Sequence, residues 1–228
     1  GTTLRVTQGA VLQFAQNKGV IVRGRLEVEA NSPSAQRAYF TRLYDDSPSP
    51  LGGTDGGSGQ WTGIQVENAG TTMLRHSTIK SANVGVTGSG SIPSVVFSDC
   101  SAGVQARLPA SITGCTFSNV GNPITASTNE ASGTLVVSGN SITQGISHFY
   151  GVPSMPLRLT WTNNTMDQVR VYGEVAALTF TGNVGVSGQK ARLDLGYANS
   201  NAAVIVGPVS FSKDPNQRVR VARGYYPS

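Results

Sequence analysis

The chain has 228 residues, 28 of them glycine, with charged residues at 13% and a formal net charge of +5. That length allows one domain, residues 1–228, with a sizeable core. No apolar run approaches the roughly 18 residues of a membrane-spanning helix, and the modest excess of Lys and Arg, without basic runs, favours anionic partners but is no nucleic-acid footprint.

Residues 1–30 contain three strand-like runs. Val20, Val22, Leu26 and Val28 share one parity and are expected to face in, whereas Ile21, Arg23, Arg25, Glu27 and Glu29 face out with opposite charges paired. A polar turn at 31–34 precedes a strand at 38–41. Residues 44–60 are rich in Gly, Ser, Pro and Asp, lack apolar periodicity, and are predicted to protrude as a loop. Asp45, Asp46 and Asp55 lie in that loop, and Glu67 follows it on a strand where Ile64 and Val66 face in. Trp61 is expected to pack where the loop rejoins the body; the alternative is a platform for a sugar ring.

From residue 73 to 186 one short phrase recurs: an apolar residue, two small or polar residues, a ladder residue, then a strand again. The ladder positions are Ser77, Cys100, Cys115, Asn140, Asn164 and Asn183, spaced roughly 15 to 25 residues apart. Three short strands cannot bury their own apolar face, but coils stacked about 4.8 Å apart bury one another. At the bend the ladder side chain points inward and needs hydrogen bonds, which a column of asparagines supplies to itself and to nearby backbone. The expectation is an all-β parallel solenoid of about nine or ten coils with an internal Asn/Cys/Ser ladder. Cys100 and Cys115 are placed in adjacent slots, as buried free thiols rather than a disulfide. His76 and His148 are read as bend or surface histidines about three coils apart, not as one metal site. Residues 145–156 are read as a second irregular insert. Beyond it, Arg158 points outward, and 169–171, 193–195 and 219–221 are predicted to align, stacking Arg170, Asp194 and Arg220 with Gln168, Arg192 and Arg218 beside them. That column is either a salt-bridged ladder or a basic strip for anionic glycans.

The Asn140, Asn164, Asn183 column resembles the asparagine ladder of right-handed parallel β-helix proteins, the pectin-lyase-like superfamily of bacterial surface and secreted proteins. The opening coils, residues 9–14, 19–26, 40–46 and 61–64, follow that superfamily's usual order. The resemblance implies right-handed winding and an extracellular or cell-surface setting. Family members often carry an Asp-Asp and then a Gly-Gly-Asp-Thr-Asn segment in the loop corresponding to 44–60. Asp45, Asp46 and Asp55 match, but Gly53-Thr54-Asp55-Gly56 lacks the Asn and a further Asp. Two readings therefore stand for the loop, an oxygen-rich calcium site and a plain connection.

The fold alone does not assign an activity. No Ser-His-Asp order, metal-ligand cluster or phosphate-binding glycine loop is present. The expectation is a non-catalytic extracellular module, a scaffold, adhesin or glycan-binding domain, with Trp61, Arg158, Arg170, Arg192, Arg218 and Arg220 as ligand-binding candidates. Its partner would be an acidic polysaccharide or another cell-surface component, and the chain a monomer or part of a longer one. The alternative is a polysaccharide lyase or glycoside hydrolase, for which Asp45, Asp46, Asp55 and Glu67 would supply the carboxylates. A flat Thr-x-Thr array for ice or mineral is not expected, because Thr2-Thr3, Thr71-Thr72 and Thr179-Phe180-Thr181 do not form one.

Overall fold

A computed structural model of the chain describes residues 2–29, 37–43, 45, 59–67, 70–129, 131–152, 154–196, 203–205, 209–211 and 215–221. Among them a sixteen-stranded and a six-stranded sheet wind as a parallel β-solenoid of about eight turns, close to the nine or ten expected. A turn lays strands on three faces. Face A carries Thr3–Thr7, Arg25–Glu29, Thr71–Met73, the second halves of Val84–Pro93 and Ala102–Thr113, then Thr134–Ser138, Leu157–Thr162 and the second half of Gln168–Thr181. Face B carries Val11–Phe14, Ala38–Arg42, Ser77–Lys80, Val96–Ser98, Thr116–Ser118 and Ser141–Ile142. Face C carries Gly19–Val22, Gly63–Val66, the first halves of the same three long strands, Asn122–Ser127, Ile146–Gly151, Ala191–Leu195 and Gln217–Val221.

Alternation decides which side chains are inside. On face C, Ile64, Val86, Val104 and Ile124 stack in register and are buried. On face B, Phe40, Ile79, Phe97, Phe117 and Ile142 do the same. The rings of Phe97 and Phe117 stack at 4.9 Å and 6°. Each such side chain contributes about 1.5–3 kcal/mol by leaving water. The chain makes room for them with glycine: a Cβ on Gly85 would come within 2.7 Å of Phe97, and one on Gly103 within 2.6 Å of Phe117. As the alternation predicts, Val22, Leu26 and Val28 are buried while Ile21 is 57% exposed, and Arg5 and Arg25 both pair with Glu27.

The asparagine column is present. Asn164 Oδ1 accepts from both the backbone N–H and the Nδ2 of Asn140, each at 2.9 Å. Asn183 Oδ1 accepts from the backbone and side chain of Asn164 in the same way, at 3.0 and 3.2 Å. The Nδ2 groups of Asn140, Asn164 and Asn183 also donate to the carbonyls of Ile112, Val137 and Trp161. Cys115 joins the column through its N–H, which donates to Asn140 Oδ1 at 2.8 Å, and its thiol donates to Ile92 O at 3.2 Å.

Cys100 does not belong to this ladder. The register of Phe97 with Phe117 puts Val95 opposite Cys115, and Ser77 beyond it. Cys100 lies at the next corner, between faces B and C, with buried Ala82 and Val120 as its counterparts on the neighbouring turns. The two corners share one local device, which is why their phrases look alike. A left-handed residue precedes each inward one: His76, Ser94, Gly114, Gly139, Asn163 and Gly182 at the first corner, Ser81, Asp99 and Asn119 at the second. The cysteines are therefore not adjacent, and both are free and buried. Burial pushes the thiols up, to about 11 for Cys100 and about 12 for Cys115.

One further expectation changes. Residues 146–151 are a regular strand of face C, not an insert: Ser147 and Phe149 point in, and His148 and Tyr150 point out. The polar inward Ser147 hid the alternation. On face A, Ser111/Thr113, Val136/Ser138, Thr160/Thr162 and Thr179/Thr181 fall in register, but Val136 interrupts one column and only the last two of these turns carry paired threonines, so no unbroken Thr-x-Thr array runs along the described strands. Thr179 and Thr181 meet Thr160 and Thr162 because register, not spacing, sets which threonines stack. Among the described residues no helix is long and apolar enough to cross a membrane.

Candidate functional site

The outward positions of face C form columns along the solenoid. One runs Ile21, Gln65, Thr87, Gln105, Thr125, His148, Arg170 and Asp194, fixed by strand register. Two residues further along the strands lies a second, with Ser127, Tyr150 and Tyr172 on consecutive turns. Because Phe149 and Val171 are buried anchors, the side chains on either side of each are held outward. The rings of Tyr150 and Tyr172 lie 5.5 Å apart at 44°, and His148 meets Tyr172 edge-on at 6.4 Å. Together with Gln105, Thr125 and Ser127 they line an open cleft of about 610 Å³. Burial, and then the charge of Arg170, lower the His148 pKa below its ordinary value, so the ring is neutral at neutral pH. The cleft offers aromatic faces, amide and hydroxyl groups, and a neutral imidazole, with Arg170 one turn away from His148.

A second cleft of about 520 Å³ opens on the same face at Asp167, Gln168, Lys190, Arg192 and Arg218. Arg192 and Arg218 are in register, as the sequence alignment of 193–195 with 219–221 predicts. Arg192 Nε lies 3.4 Å from Asp194 Oδ1, and Gln168 Nε2 donates to the other Asp194 oxygen.

The remaining candidates are dispersed. Arg158 is exposed on face A, opposite Thr134, and so is separated from the other arginines by a corner. Arg220 aligns with Asp194 in backbone register. Trp61 is fully buried: Phe14 covers its ring at 4.5 Å and 14°, and its indole N–H donates to Lys80 O at 2.7 Å, which leaves no face for a sugar. Glu67 binds Arg23 through a 2.8 Å hydrogen bond that, with Arg107's charge, lowers its pKa. Asp45 is buried, and its carboxylate accepts from Lys80 Nζ at 3.2 Å and from the Thr41 hydroxyl. An internal ammonium thus pairs with this carboxylate, and that ion pair would have to open for Asp45 to serve a cation. Asp46 and Asp55 lie outside the described residues. Among those described, no three His, Cys, Asp or Glu side chains group as metal ligands.

Sequence reasoning missed Tyr150 and Tyr172. The signal was available: His148-Phe149-Tyr150 and Arg170-Val171-Tyr172 share a polar, apolar, Tyr pattern one solenoid period apart. Comparison with models of protein families, with curated proteins and with solved structures finds no match.

Proposed function

We propose that the chain is a non-catalytic β-solenoid module that binds saccharide chains on face C. The observation that carries this reading is the cluster of His148 and Tyr150 on one turn and Tyr172 on the next, over an open cleft. A pyranose ring presents a face of weakly positive C–H groups, which matches the negative face of an aromatic ring. Its hydroxyls suit the amide and hydroxyl side chains of Gln105, Thr125 and Ser127. A parallel sheet whose inward residues are interlocked holds these groups at fixed spacing, so little side-chain ordering opposes binding. The net charge of +5 favours an acidic polymer. An extracellular, cell-surface setting and right-handed, pectin-lyase-like winding belong to the same reading.

The test is titration of the whole chain with acidic and neutral polysaccharides by calorimetry, alongside an assay for unsaturated or reducing products. Binding of an acidic polymer without turnover, lost in Tyr172→Ala, is the expected result. Product that accumulates with enzyme concentration would replace this reading with a lyase or hydrolase.

A further inference from the structure

We infer that the cleft bounded by Lys190, Arg192 and Arg218 binds a tetrahedral oxyanion, as the sulfate or phosphate ester of a substituted saccharide. This rests on the saccharide-binding reading of face C and adds the chemical class of ligand. Strand register places Arg192 beside Arg218 on adjacent turns, about 4.8 Å apart, with the same outward parity. Like charges directly opposite repel, so the pair is poised for an anion laid across it. Lys190 enters the same cleft just ahead of the strand that carries Arg192.

Among the described residues, a carboxylate pairs with only one of these three cations, Arg192. Asp194 is nearly enclosed and takes the Gln168 amide. It faces Arg192 at 3.4 Å, but Arg192 Nε is buried and makes no hydrogen bond. Among the described residues neither Lys190 nor Arg218 forms an ion pair. Asp167 stands at the cleft and opposes an anion there. A planar carboxylate is matched by a single guanidinium fork. Three cationic heads from two strands and a loop instead surround a volume, and so suit an ester with three terminal oxygens. Tyr172 and Gln168 lie on one strand, four residues or about 13 Å apart, so one saccharide chain spans the aromatic and cationic clefts.

The experiment uses the whole chain and its Arg218→Gln, Lys190→Gln, Asp167→Asn and Tyr172→Ala variants, each checked by its thermal unfolding curve. Calorimetric probes are a sulfated galactan, the same polymer desulfated, its phosphorylated derivative, sodium sulfate and sodium phosphate. The sulfated or the phosphorylated polymer is expected to bind at least about tenfold more tightly than the unsubstituted one, and whichever is tighter identifies the source of the oxyanion. Arg218→Gln should erase that difference, Lys190→Gln should reduce it, and Asp167→Asn should enlarge it. Equal binding of substituted and unsubstituted polymer by the wild type overturns the inference, as does a difference that survives in Arg218→Gln and Lys190→Gln. If Tyr172→Ala then still weakens both polymers, saccharide binding stands and only the oxyanion site falls. If no polymer binds but sodium sulfate or phosphate does, and Arg218→Gln loses it, the oxyanion site stands and the saccharide reading falls.

Discussion

Faces A and C are cut from the same cloth. Val84–Pro93, Ala102–Thr113 and Gln168–Thr181 each run across the corner from C to A, so one strand contributes to both. Inward, the two faces are alike: Ile112, Val137, Trp161 and Phe180 on A, and Val86, Val104, Ile124 and Phe149 on C, all buried. Outward they diverge. From residue 111 to 181 the two central outward columns of face A hold almost only Ser and Thr, which β-propensity alone accounts for. Face C over the same turns holds Gln105, Thr125, Ser127, His148, Tyr150, Arg170 and Tyr172, in which β-propensity accounts for the Thr and Tyr positions but not for Gln105, His148 and Arg170. Stacking dictates the inner residue and leaves the outer one open, so chemistry collects where large polar and aromatic groups replace small hydroxyls.

The largest expected effect removes both faces together. Asn164→Leu deletes the acceptor for two Asn140 donors and the donor for Val137 O and Asn183. Each orphaned buried group costs about 1–3 kcal/mol, so a loss of about 4 kcal/mol is expected. At roughly 2–4 °C per kcal/mol, the thermal midpoint should fall by about 10 °C. A midpoint within about 3 °C of wild type would mean that the column does not hold the turns in register. Next in size, Tyr172→Ala separates the faces. Aromatic anchors dominate binding energies, and saccharide affinity should drop about tenfold or more, roughly 1.4 kcal/mol, with the unfolding midpoint little changed because the ring is partly exposed.

How much of this was legible depends on which signal each residue leaves. Asn140, Asn164 and Asn183 announce themselves because an amide that recurs at a fixed interval, just past an apolar residue and a turn, matches what the backbone of a buried bend needs. The alignment of Arg170, Asp194 and Arg220 followed from three apolar–polar–apolar triplets. Cys100 misled because both corners use a left-handed residue before an inward one, and a phrase of four residues does not record which corner it turns. Trp61 and Asp45 looked like ligand residues because a loop precedes or contains them, whereas Phe14 and Lys80, which cover and neutralise them, are distant in sequence. The tyrosines escaped because Ser147 broke the hydrophobic alternation that would have marked residues 146–151 as a strand.

A smaller effect gives face C a signature in pH, since the described strands of face A carry no histidine. Burial first, and Arg170 second, lower the His148 pKa. The folded chain therefore favours the neutral ring, while the unfolded chain takes up a proton at the ordinary value of about 6.5. That contribution to stability is whole above about pH 6.5, declines as pH falls from there toward the lower folded value, and then stays lost. Between about pH 8 and about pH 5, urea midpoints of wild type should fall further than those of His148→Gln. Equal falls would place the acid sensitivity elsewhere in the molecule.

The smallest effect is the control on the other face. Thr160 projects outward from the strand Leu157–Thr162, between Val136 and Thr179 on the flanking turns. Thr160→Ala removes one hydroxyl and one methyl from a half-buried position, and surface changes of this kind stay within about 0.5 kcal/mol. Its unfolding midpoint should move by no more than about 2 °C, and its saccharide affinity should match wild type. The measurement decides more than its size suggests. If Thr160→Ala weakened binding as Tyr172→Ala does, the ligand would be meeting the hydroxyl columns, and the aromatic cluster across the corner would be a feature of packing alone.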